Sequence, residues 1–258
     1  MDGLRVQAAA AGGREFSPAE LQAEMAAYWD QRSGDFGALR RAEYQADLAK
    51  VWRQRLLSGL PRTEGRARVL DLGTGTGFFA FLLAEAGHEV TALDLSPEML
   101  RRAEVWRSEL ELAVDFKLGN AADTGLPEGS FDYIVTRNLS WALPDLEAAY
   151  AHWFRLLRLG GRLLNFDADY CHEAGRREQA AAPQHKDCSE DLRRRYGDMA
   201  EYLGARQGAR PDWDLELVPR QGFRVLDLDT DFGRRIYKEG EVFYNPSPLF
   251  ALLLERPA

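Results

Sequence analysis

Residues 69–77 read VLDLGTGTG: a short apolar run holding Asp71, then glycines at 73, 75 and 77. An apolar stretch that gives way to alternating glycines is the pattern of a buried strand turning sharply into a helix. The flanking sequence agrees. FFAFLLAEAG (78–87) is a helical run closed by Gly87, and HEVTALDLS (88–96) reads as a second strand. Ser96 caps the next helix, with Pro97 at its first position and Glu98 near the positive end of its dipole. AVDFKLG (113–119) and FDYIVTR (131–137) follow as strands three and four. Asp145 caps the helix LEAAYAHWFRLLRLGG (146–161), and RLLNFD (162–167) is strand five.

This alternation from residue 67 to 167 predicts an α/β fold, a Rossmann-like doubly wound and mostly parallel sheet with helices on both faces. Ligands of such sheets bind outside the carboxyl ends of the strands. The glycine turn, Asp94, Asn120, Arg137 and Asp167 all follow strands, so they are expected to converge on one edge.

Working outward, residues 1–14 are rich in Ala and Gly and are read as a disordered tail. Residues 15–62 form an N-terminal helical cap. Ser17, Pro18 and Glu20 make a capping-box start, and YQADLAKVWRQRLLSGL (44–60) is a second helix. Both helices are expected over the mouth of the sheet. Residues 63–170 are the cofactor-binding core. Residues 171–220 are polar, with one clear helix in SEDLRRRYGDMAEYLGAR (189–206), and are read as an inserted lid or substrate subdomain. Residues 221–258 supply C-terminal strands that complete the sheet as an edge hairpin.

Composition narrows the function. The chain has 258 residues, 45% hydrophobic and 29% charged, with a net charge of −8. Such a field repels phosphate backbones and anionic lipid, so the expected partner is a small molecule rather than nucleic acid or a membrane. Cys171 and Cys188 show no CxxC or zinc-ligand spacing, and no stretch has the length of a membrane span. A cytoplasmic location with no metal is the expectation; the oligomeric state is not legible.

The glycine turn admits two ligands. Gly75, Gly77 and Ala80 fit the GxGxxA dinucleotide pattern, which suits NAD. Asp71 does not, because a carboxylate at the strand end has no use against a pyrophosphate, whereas it suits a ligand carrying an ammonium group. The stretch VLDLGTGTGFFAFLLAEAGHEVTALDLSPEML (69–100) resembles the first half of a class I S-adenosylmethionine-dependent methyltransferase. The resemblance implies that Asp71, Gly73, Thr74, Gly75 and Gly77 hold the methionine part of S-adenosylmethionine. It assigns both ribose hydroxyls to Asp94 and the adenine faces to Leu95 and Met99. Asn120 stands where the family carries the acid that accepts from the adenine amino group, with Ala121 and Ala122 offering backbone amide beside it. Arg137 and Asn138 complete the cofactor set. Similar enzymes place helix residues over the cofactor, which nominates Tyr28 and Arg32 there and Trp29 towards the substrate; an apolar helix face explains Tyr28 and Trp29 equally well.

For chemistry, the resemblance implies methyl transfer to an N, O, S or C nucleophile, with S-adenosylhomocysteine as product. Such a step needs alignment above all, and a general base only for a protonated acceptor. NFDADYCH (165–172) supplies the densest acid–base set, Asp167, Asp169, Tyr170 and His172, with His172 the first choice of base. Asn138 and Trp141 follow strand four, and His185 is a second base or substrate contact from the lid. Two alternatives stay open: an NAD-dependent oxidoreductase, and a catalytically silent methyltransferase fold used as a binding module.

Overall fold

The structure, a computed structural model, describes residues 14–172 and 188–258. Among these, strands β1 (Arg68–Leu72), β2 (Glu89–Asp94), β3 (Val114–Leu118), β4 (Phe131–Arg137), β5 (Leu157–Asp167), β6 (Arg224–Asp229) and β7 (Phe250–Glu255) form one sheet. Its order is β3-β2-β1-β4-β5-β7-β6. The first five strands run parallel, and β7 pairs antiparallel with both β5 and β6. The doubly wound core and the C-terminal edge hairpin therefore stand as the alternation implied, with β7 between β5 and β6.

Helices α1 (Pro18–Gln45), α2 (Leu48–Gly59), α3 (Phe78–Glu85), α4 (Pro97–Leu110), α5 (Leu146–Leu156) and α6 (Glu190–Gly204) pack around the sheet, with two short helices, α7 (Asp212–Leu217) and α8 (Phe232–Ile236). Alternate strand residues serve opposite layers. Val69 and Val135 join Trp52, Phe79 and Phe81 on one face, while Leu70 and Ile134 join Tyr150 and Trp153 on the other. Burial on both faces explains why β1 and β4 read as nearly continuous apolar runs.

The helix starts obey their caps. Ser17 accepts from the Glu20 amide while the Glu20 carboxylate accepts from the Ser17 amide, and Ser96, Asp145 and Ser189 each cap the helix that follows. One placement differs from expectation. The first half of α1 does lie over the strand ends, but α2 lies on a sheet face. Its Trp52 and Leu56 are fully buried, and the Leu56 carbonyl accepts from the Tyr133 hydroxyl. An amphipathic pattern says that a helix is buried, not against which layer.

A third apolar cluster sits over the strand ends, where Leu21, Met25 and Tyr28 of α1 meet Leu192, Met199 and Leu203 of α6. No helix of the described residues is long and apolar enough to cross a membrane. Within the same residues, no group of three or more His, Cys, Asp or Glu is placed to hold a metal.

Candidate active site

The turn between β1 and α3 is built by hydrogen bonds that its glycines make room for. Gly73 (φ +66°), Gly75 (φ +55°) and Gly77 (φ +92°) are all left-handed. A Cβ on Gly77 would come within 2.6 Å of the Phe81 ring, so this glycine shapes the loop rather than lining a cavity. Asp71 locks the turn from below. Its Oδ2 accepts from the Thr74 hydroxyl at 2.6 Å and the Ala80 amide at 3.1 Å. Asp94, the last residue of β2, closes it from the side, accepting from the Gly75 amide at 2.7 Å and the Ser96 amide at 2.9 Å. Burial pushes both acids up, Asp71 to about 7 and Asp94 to about 6, against the lowering effect of these donors.

Above the turn is a cavity of about 220 Å³. Its floor is Gly73 and Gly75, its rim carries Asp94, and Leu95, Met99 and Asn120 to Ala122 form one end. Arg137, Asn138 and Leu139 follow from β4, and Trp29 enters from α1. A second cavity of about 50 Å³ is lined by the same turn with Asp71, Thr74 and Thr76, and again by Arg137 and Asn138. The strand ends thus bring together most of the residues nominated for a cofactor.

Several nominated residues are placed differently. Asn120 directs its Oδ1 to the Ala122 amide at 2.9 Å and its Nδ2 to Gln22 at 3.2 Å, forming a turn at the cavity end. Tyr28 and Arg32 lie in the layer between α1 and α6 rather than on the cavity wall. The Arg32 guanidinium donates to the Tyr28 hydroxyl at 3.0 Å and to Asp35 at 2.9 Å, because the helix spacing turns them away from Trp29. Arg137 lines both cavities but directs its Nη atoms at Glu43, 3.1 and 3.2 Å away, and stacks on Trp52 at 4.2 Å.

The nominated catalytic groups divide. Asn138, in a left-handed backbone (φ 55°), reaches the cavity wall and accepts from the Tyr170 hydroxyl at 3.0 Å. Tyr170 in turn accepts from Asn245 at 2.9 Å, and burial keeps its hydroxyl far from ionisation. Asp169 and His172 form a half-exposed pair at 2.6 Å, and neither lines the cavity. Trp141 is buried behind Asn138, donating its indole N–H to the Asn138 carbonyl at 3.0 Å. Asp167 is fully buried and holds Arg210 (3.0 Å) and the Ser140 hydroxyl (2.5 Å), so it belongs to the scaffold. His185 lies outside the described residues.

Reading by motif missed the apolar stripe of α1. Leu21, Met25 and Phe36 line the cavity with Gln22 beside them. Their helical spacing was present in the sequence and pointed to one face, but only the placement of α1 beside the ends of β2 and β4 turns that face into a cavity wall.

Residues 69–161 match the family model described as "Methyltransferase domain". The ubiquinone biosynthesis O-methyltransferase of Xanthomonas oryzae is 36% identical over 98 residues, 38% of this chain and 41% of that enzyme. The ubiquinone/menaquinone biosynthesis C-methyltransferase UbiE of Methylobacterium nodulans is 37% identical over 123 residues, 45% of this chain and 48% of that enzyme. The chain thus spans less than half the length of the curated relatives it matches. Among solved structures, Haemonchus contortus phosphoethanolamine N-methyltransferase 2 with S-adenosyl-L-methionine superposes with a TM-score of 0.59 at 18% identity, over 80% of this chain and 52% of that one. The glycine turn and its two acids at the strand ends thus lie in or beside the segment, residues 69–161, that matches a methyltransferase domain, and the fold is similar to that of solved methyltransferases.

Proposed function

We propose that this protein transfers a methyl group from S-adenosylmethionine to a nucleophilic N, O, S or C atom of a small molecule. The observation that carries the reading is a single cavity with the glycine turn as floor and the Asp94 carboxylate at its rim. The residues suit the cofactor. A Cβ on Gly75 would meet only the Met99 sulfur, at 4.0 Å, so the backbone there opens onto the cavity and lets a ligand approach closely. Asp94 retains lone pairs beyond its two amide bonds for ribose hydroxyls. Leu95 and Met99 offer apolar contact to an adenine ring, and the Ala121–Ala122 backbone borders its edge.

When bound, the cofactor supplies a methyl group already activated on a sulfonium. What remains for the chain is to align the acceptor and exclude water. Leu21, Met25, Trp29 and Leu143 make the wall that excludes water. Asn138 is oriented by Tyr170 and Asn245 so that its carbonyl is engaged and its amide nitrogen is available to a ligand. The His172–Asp169 pair, outside the cavity, serves as base only for an acceptor long enough to reach it. Helix α6 acts as the cover, through its packing on α1. The curated relatives are named for O- and C-methylation in quinone biosynthesis. Together with the apolar wall, this favours an acceptor with an apolar body.

The test is a single-turnover assay with methyl-labelled S-adenosylmethionine and a panel of phenols, enols, thiols and amines. Label recovered in one acceptor, matched by S-adenosylhomocysteine, is the expected outcome. Tight S-adenosylhomocysteine binding with no transfer to any acceptor would instead favour a silent binding module.

A further inference from the structure

Asn138 is pinned along its backbone from both sides. Its N–H donates to the Phe166 carbonyl at 2.8 Å, and its own carbonyl accepts from the Trp141 indole at 3.0 Å. What is left to decide is which end of the side-chain amide faces the cavity that Asn138 lines. Oxygen there asks a ligand for a hydrogen-bond donor and nitrogen asks for an acceptor, so the choice sets what can bind.

That choice is made from the far end of the chain. A backbone N–H can only donate, and that of Ser247 points at Asn245 Oδ1, 3.2 Å away. The Asn245 amide is thereby oriented with Nδ2 towards Tyr170, donating to the phenol oxygen at 2.9 Å. An amide nitrogen has no lone pair to offer, so the single Tyr170 proton goes the other way, to Asn138 Oδ1 at 3.0 Å. Burial keeps that proton in place by pushing the phenol well above its ordinary value. Donation therefore runs one way, from Ser247 to Asn245 to Tyr170 to Asn138, and Asn138 Nδ2 is left as its end. That nitrogen makes no hydrogen bond among the described residues.

Tyr170 follows β5 and Asn245 precedes β7, strands on the side of β4 away from the glycine turn. The proposed cofactor site draws on β1 and β2 instead. The relay is thus anchored in the half of the sheet that the cofactor does not claim.

We infer that Tyr170 and Asn245 are positioning residues for the methyl acceptor, and that they make Asn138 a fixed hydrogen-bond donor selecting acceptors with a carbonyl or ionised hydroxyl oxygen at or beside the reacting atom. The inference rests on the proposed methyl transfer and narrows its N, O, S or C atom to phenol- and enol-type acceptors. A ligand that cannot accept leaves the donor unpaired, which is the costly outcome.

The experiment begins with the labelled panel of phenols, enols, thiols and amines on wild type. Label in a phenol or enol is expected, and label confined to amines or thiols overturns the inference. Calorimetry on the full chain then measures that phenol or enol binding to protein saturated with S-adenosylhomocysteine, and S-adenosylhomocysteine binding by itself. Asn245→Asp is nearly isosteric and still accepts from Ser247, but it can only accept from Tyr170, so it reverses the tyrosine proton and turns the Asn138 oxygen to the cavity. It should weaken the acceptor about tenfold or more and leave S-adenosylhomocysteine within about threefold of wild type. Tyr170→Phe removes the last donor, should act in the same direction, and decides the matter if Asn245→Asp does not fold. Unchanged acceptor affinity in the folded variant overturns the inference. So does an equal loss for both ligands, which would make the relay a general support of the site. Absence of label across the whole panel would instead remove the methyl-transfer reading on which the inference stands.

Discussion

At the scale of single residues, two acids do different work with the same chemistry. Asp71 and Asp94 sit at adjacent strand ends, each accepting two hydrogen bonds from the turn or its flanks. Burial raises both above the ordinary 3.8, to about 7 and about 6. The sign follows from linkage. A raised carboxyl favours the folded state while protonated, so this contribution is full below about pH 4 and is lost as pH rises through 6 and 7. The proposed ribose binding by Asp94 has the opposite demand, since an ionised carboxylate accepts two hydroxyls. The thermal shift produced by saturating S-adenosylhomocysteine should therefore be larger at pH 8 than at pH 5, and Asp94→Ala should weaken S-adenosylhomocysteine at least about tenfold. A shift that is flat in pH, or an Asp94→Ala protein that binds like wild type, would place the ribose elsewhere.

Both acids were legible in the sequence because a strand end followed by a tight turn fixes position within a few residues. Glu43 was not. It lies on a helix among several charged residues, and only the approach of α1 to the end of β4 puts it beside Arg137. Tyr28 and Arg32 show the converse. Their types suited a cofactor contact, but rotation of α1 points them into the layer it shares with α6.

At the scale of elements, the turn from β1 to α3 is the piece with least freedom. Gly77 is the residue before α3 and holds φ +92° with the Phe81 ring against it. Gly77→Ala meets both strain and collision, and should cost about 1 to 3 kcal/mol in a urea melt. Gly87, also left-handed but with open space where a Cβ would go, supplies the control: Gly87→Ala carries the backbone strain without the collision and should cost less. Equal costs at the two positions would mean that contact with Phe81 has no part in shaping the loop. Helix starts were legible for the same local reason. Ser17, Ser96, Asp145 and Ser189 each cap through contacts within three residues. The placement of α2 was not, because its partners Phe166 and Phe232 lie more than a hundred residues away.

At the scale of the whole molecule, the sheet divides labour by its two ends and two faces. The faces carry the core, and the carboxyl ends carry the cavity. The α1–α6 layer closes over those ends. Beneath it, the strand ends are tied to α7 by a buried polar group that no motif announces. Arg210 bonds Asp167 at 3.0 Å, Ser140 at 2.8 Å and Asp214 at 2.5 and 2.8 Å. It joins β5, the turn after β4 and α7 across a sequence separation of 70 residues at its widest. Such a network explains why Asp167, which looked like a candidate acid, belongs to the scaffold.

The proposed function requires the cavity over the glycine turn to take S-adenosylmethionine. The most direct measurement is thermal unfolding with S-adenosylhomocysteine and, separately, with NAD. A ligand at a hundredfold excess over its Kd stabilises by about 2.7 kcal/mol, which at this chain length raises Tm by roughly 5 to 10 °C. The expected result is a rise of that size with S-adenosylhomocysteine and none with NAD. A rise with NAD and none with S-adenosylhomocysteine would contradict the assignment of the site.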